Sequence, residues 1–159
     1  MLSNDTIERM IAEGKGHQVQ KVFTIANATT QYFAYDFTGC TKVYARPLII
    51  KPNQGLLKIS TYAADDYTGG SAITPVTLVE NTVASKAVVK SGVTVGNGTY
   101  NVREYLAGTK STNQSSGSGG TVGDAIPKEI PVEKPFFVKV ENTGTDSIDY
   151  EFGIVWVEA

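Results

Sequence analysis

The sequence predicts an all-β fold, a two-sheet antiparallel sandwich with a short N-terminal helix, and three observations carry that reading. From His17 onward apolar residues recur at every second position, the spacing that puts alternate side chains on one face of a strand. The last such run holds Ile148, Tyr150, Phe152, Ile154 and Trp156 in one row, and a row of that size needs a second sheet about 10 Å away to cover it. The runs are short and separated by Gly, Pro, Asn and Asp, which read as turns.

Taken in order, Ser3 is placed to cap a helix over residues 3–13, with Asp5 in its first turn and Gly14 and Gly16 as its stop. Ile7, Met10 and Ile11 form its apolar stripe. A helix of about two and a half turns is marginal alone in water, so this stripe must lie against its own sandwich or a neighbouring subunit. The period then changes to two, dividing the chain into a helical arm, 1–16, and a sandwich domain, 17–159. Val19, Phe23 and Ile25 share one strand face; Gln31, Phe33, Tyr35 and Phe37 share the next, with Tyr32, Ala34 and Asp36 opposite. Pro47 places an edge, bulge or bend in the run 43–50. Residues 52–55 read as a turn, and Leu57, Ile59 and Thr61 alternate with Lys58, Ser60 and Tyr62 beyond it.

Residues 64–74 read as a surface loop, followed by a short strand near Val76, Leu78 and Glu80. Residues 87–95 give one or two strands broken at Gly92, and Gly96-Asn97-Gly98 has the composition of a tight hairpin turn. Tyr100 to Leu106 is a further strand. Residues 108–124 are Gly/Ser-rich and are expected to form a flexible loop, since little in them offsets the entropy lost on ordering. The prolines at 127, 131 and 135 lead extended chain into Phe136, Val138 and Val140, which alternate with Phe137, Lys139 and Glu141. Residues 142–146 then turn into the final strand.

Composition narrows the function. At 159 residues the chain is long enough to bury roughly 70% of its unfolded surface. The net charge of −2 without any run of Lys or Arg argues against nucleic acid as a partner. Cys40 is the single cysteine, so neither an internal disulfide nor a multi-cysteine metal site is expected. No apolar stretch approaches the roughly 18 residues of a membrane span, and the start lacks a secretory pattern, so no membrane partner is expected and the product is expected to be made and kept in the cytoplasm. The acceptor-like triplets at Asn27, Asn97 and Asn113 are then ordinary turn composition.

No residue set fits a catalytic, cofactor or metal site. His17 is the only imidazole, and a nucleophile activated by a base needs one within reach. Asp36, Asp65 with Asp66, and Asp149 with Glu151 are read as solvated or contact residues rather than as acid and base. The glycines at 117–123 lack the following Gly-Lys-Ser/Thr of a phosphate loop. Tyr62, Tyr67, Tyr100 and Tyr105 are strand residues before they are a sugar-stacking surface.

The C-terminal two thirds carry a more specific order. A strand ends near Thr77-Leu78-Val79-Glu80-Asn81, a Gly-Asn-Gly turn follows with Arg103 after it, then the Gly/Ser-rich loop, Pro135-Phe136-Phe137-Val138-Lys139-Val140-Glu141-Asn142, and an alternating strand closing in Trp156-Val157-Glu158. Over residues 55–158 this resembles the jelly-roll head decoration, or capsid auxiliary, proteins of tailed bacteriophages. Val157 stands where the family has an aromatic, and the asparagine-rich stretch before Arg103 is reduced to Asn97 and Asn101. The resemblance implies a jelly-roll sandwich and a non-enzymatic virion protein on the capsid exterior. It implies the major capsid protein as partner and a homo-oligomer, a trimer, with Ile7, Met10 and Ile11 as the candidate capsid or intersubunit contact. The alternative reading is a receptor- or carbohydrate-binding head of a tail or head fibre.

Overall fold

The computed structural model describes residues 4–79, 84–108 and 128–159. Helix α1 (Asn4–Met10) runs into a π-type turn, Ile11–Lys15. The strands are β1 (Gly16–Ile25), β2 (Thr29–Asp36), β3 (Val43–Ala45), β4 (Ile49–Pro52), β5 (Leu56–Ala63) and β6 (Tyr67–Ala72). They continue with β7 (Val76–Thr77), β8 (Val88–Val95), β9 (Tyr100–Gly108), β10 (Lys128–Ile130), β11 (Phe136–Asn142) and β12 (Ile148–Glu158). Ser3, Glu80, the Gly/Ser-rich stretch beyond Gly108 and Pro127 lie outside the described residues.

Two antiparallel sheets form the sandwich. One runs β10-β3-β12-β1-β7, with β4 also paired to β12; the other runs β6-β8-β2-β11-β5-β9. The pairing is nested: β1 with β12, β2 with β11, β3 with β10 and β5 with β9. That is a long hairpin rolled over two sheets, the jelly-roll order. Residues 64–99 are an insertion into it. Its strands β6 and β8 extend one sheet beyond β2, and β7 extends the other beyond β1. The flank at β1 and β2 is therefore built out, while β9 and β10 end the two sheets on the opposite flank.

Alternation places the core as expected. Tyr150, Phe152 and Trp156 are buried between the sheets, facing Phe33, Tyr35, Phe37, Val138 and Val140. The Phe33 and Phe152 rings stack at 4.3 Å, and Phe37 meets Trp156 edge-on at 5.6 Å. Phe137, on the opposite face of β11, joins Ala34, Ala64 and Val93 in a smaller cluster outside the second sheet. The turn after β11 crosses from one sheet to the other. It is held by buried Asn142, whose Nδ2 donates to the Asp146 carbonyl (2.8 Å) and whose Oδ1 accepts from Gly144 N (3.0 Å).

Three local expectations are corrected. Residues 67–72, expected as loop, form edge strand β6, exposed on both faces apart from half-buried Tyr67, so its sequence carries no alternation. Gly70 is required there: its φ is +91°, and a Cβ would lie 2.7 Å from Val93 Cγ1 on β8. Gly92 does not break β8, which runs through it as one strand and absorbs its φ of +71° as an irregularity opposite Gly70. Gly96-Asn97-Gly98 is not a hairpin turn, because β8 and β9 are separated by β2, β11 and β5. It crosses that sheet end, held by Asp65 N to Asn97 O and Gly96 N to Asp66 O, both 2.9 Å. Pro47 acts as anticipated, in the bend that divides β3 from β4.

Candidate functional site

The helix stripe is covered by the chain's own sheet. Ile7 and Met10 are buried against Val157 on the outer face of β12, with Ile11 and Tyr44 half-buried beside them. The fit depends on Gly16, since a Cβ there would lie 2.9 Å from both Ile11 Cγ1 and Leu78 Cδ1. Of the two supports open to the stripe from sequence, the chain's own sandwich provides the contact for Ile7 and Met10, and Ile11 keeps part of its surface open. No helix among the described residues is long and apolar enough to cross a membrane.

The main polar cluster lies where β1 begins and β12 ends. His17 sits opposite Trp156 in the β1·β12 register and is buried. Its Nε2 lies 3.6 Å from Glu158 Oε2. That carboxylate is a hub: Trp156 Nε1 donates to it at 2.9 Å, Lys86 N at 2.9 Å, and Ser85 Oγ also donates to it. Burial alone raises the Glu158 carboxyl, but these donors and the His17 charge outweigh it and hold the group below its ordinary value. Burial lowers His17, with Glu158 opposing, so the ring is neutral at pH 7 and the contact is not an ion pair there. Burial and then the Glu158 charge push the Cys40 thiol up to about 12, which keeps it protonated and a poor nucleophile.

Chemically this cluster is a clasp. In base-activated nucleophiles the imidazole bridges serine and carboxylate, whereas here Glu158 bridges Ser85 and His17. The three segments it joins, β1, β12 and residues 85–86, share no other hydrogen-bonded hub of this size among the described residues. Sequence reasoning saw His17 and Trp156 singly and missed the cluster, since Glu158 and Ser85 are 73 positions apart.

The remaining carboxylates serve as local anchors. Asp65 pairs with Lys134, accepts from Tyr100 Oη (3.1 Å), and is lowered chiefly by the Lys134 hydrogen bond. Asp66 accepts from Asn97 N at 2.9 Å, and Asp36 from Tyr67 Oη at 2.9 Å. Glu151 accepts from Gln20 Nε2 at 2.7 Å, and Asp149 from Thr24 Oγ1. The tyrosines named from sequence are dispersed. Tyr62 and Tyr67 pack on Phe137, Tyr100 lies under Lys134, and Tyr105 packs on the core.

Edge strand β9 carries an open apolar face. Val102 and Leu106 are 51% and 57% exposed, and Leu56 on adjacent β5 is 51% exposed. They share one face with Lys58 and Glu104, which pair across the two strands at 3.0 Å. No protein-family model, curated protein or solved structure matches the chain.

Proposed function

We propose that this chain is a virion structural protein, a decoration protein that binds the outer surface of a phage head as a homotrimer and stabilises it. The observation that carries the reading is the β9 face. A nine-residue strand whose outer edge has no partner among the described residues, with Val102 and Leu106 exposed on its outer face beside Leu56 of β5, is an aggregation hazard unless an assembly covers it. Closed rings use such head-to-tail contacts. A protein that binds only the expanded shell stabilises it by mass action.

The expected outcome is a trimer by sedimentation velocity, converted to monomer by Val102→Asp with Leu106→Asp while far-ultraviolet circular dichroism stays unchanged. The trimer cosediments with expanded, DNA-filled capsids and not with immature shells. Equal binding to both shells, or a wild-type monomer, contradicts the proposal.

One observation favours a glycan-binding fibre head as a second reading. A depression of about 280 Å³ on the outer face of the second sheet is lined by Tyr32, Tyr62, Lys58, Glu104, Lys139 and Glu141, a mixture of rings and polar groups suited to sugars. Specific signal on a glycan array, lost in Tyr32→Ala with Tyr62→Ala, is the result that selects it.

A further inference from the structure

On the flank where β9 and β10 end the two sheets, a cavity of about 710 Å³ opens between the layers. Its wall is apolar: Leu48 comes from the β3–β4 bend, Ile130 from β10, Phe136 from β11 and Ile154 from β12, with Phe37 just past β2. The volume falls in the range of small-molecule sites, roughly 300–1,000 Å³.

Its charge is of one sign. Arg46, Arg103 and Lys128 line the cavity, and among the described lining residues there is no carboxylate. Within the described residues none of these three side-chain charges has an ion-pair or hydrogen-bond partner. Tyr35 also lines the cavity, and its buried hydroxyl has no hydrogen-bond partner. An apolar wall wants an apolar occupant. Three cations at its lining, Arg46 half-buried and Arg103 and Lys128 at the exposed rim, attract an anion, and a buried hydroxyl left unpaired is destabilising. A neutral oil satisfies only the wall, and a free inorganic anion only the cations.

We infer that this cavity binds a small amphipathic anion, an alkyl carboxylate or a molecule of that build, with its apolar body between the sheets and its charged end among Arg46, Arg103 and Lys128. The inference does not rest on the assembly reading, since the β9 residues proposed for subunit contact lie on the other face of that strand.

The test is calorimetric titration of the full chain with dodecanoate, dodecanol and dodecyltrimethylammonium, each below its micelle concentration. Dodecanoate is expected to bind at one saturable site, and the neutral and cationic probes at least tenfold more weakly. Arg103→Glu, at an exposed position, is expected to weaken dodecanoate by about tenfold or more, the scale of a charge-assisted hydrogen bond. Thr61→Phe, which fills the cavity from β5, is expected to abolish binding with the circular dichroism unchanged. Absence of saturable dodecanoate binding, equal binding of the three probes, or an unaltered Arg103→Glu variant overturns the inference and leaves the cavity to side chains of a neighbouring molecule.

Discussion

Replacing Phe152 with alanine is expected to destabilise the fold by about 3–5 kcal/mol, the range for removing a buried aromatic. Phe152 is fully buried, stacks on Phe33 at 4.3 Å, and lies 5.7 Å from Tyr35 and 6.0 Å from Phe23 by ring centroids. Those neighbours come from both sheets, so no small backbone shift collapses the void. Against a total stability of about 5–15 kcal/mol, this is a large share. Phe152→Leu, which keeps most of the volume, is expected to lose less than about 1.5 kcal/mol. Urea unfolding of the two variants checks both values, read as a change in midpoint at constant slope. A loss below about 1 kcal/mol for the alanine variant contradicts a packed interlayer position.

The second large effect is expected at Glu158. Glu158→Ala leaves the Trp156 indole N–H and the Lys86 amide without their acceptor, a loss of about 2–4 kcal/mol. Trp156 is the only tryptophan, so its emission reports directly on the clasp and should shift in the variant before global unfolding. The pH dependence follows from the two directions. Glu158 is lowered on folding, so its stabilisation is full above its unfolded value of about 4.3 and is lost as pH falls through the folded value. His17 is also lowered, so the unfolded chain takes up the proton first and stability declines as pH drops below about 6.5. Both effects favour neutral over acidic pH. Thermal unfolding at pH 7 and pH 5 should show a drop in wild type that His17→Gln reduces; an equal drop in both excludes His17 as the titrating group.

The layers of this fold are legible in the sequence because alternation is a local signal. The row from Ile148 to Trp156 and the two-faced segment from Tyr32 to Phe37 declare which side chains point inward before any partner is known. What alternation omits is pairing. Gly96-Asn97-Gly98 has the composition of a hairpin turn, yet the strands on either side of it belong to opposite ends of one sheet. Strand β6 was illegible for the converse reason: an edge strand with both faces in water places no apolar constraint on its residues, and Gly69-Gly70-Ser71 looks like loop. The helix stripe was legible as a stripe but not as to what covers it. The polar hub at Glu158 depends on residues far apart in the chain, and no spacing rule reaches that distance.

The nested strand pairing has a temporal consequence. Gly16 finds its partner at Val157 and Ile25 at Ile148, so one backbone edge of the earliest strand stays unpaired until the last strand of the sandwich has been made. Topologies dominated by such distant contacts fold slowly, in milliseconds to seconds. That open edge is a template for pairing with another chain during the interval, and crowding during rapid expression is where losses should concentrate.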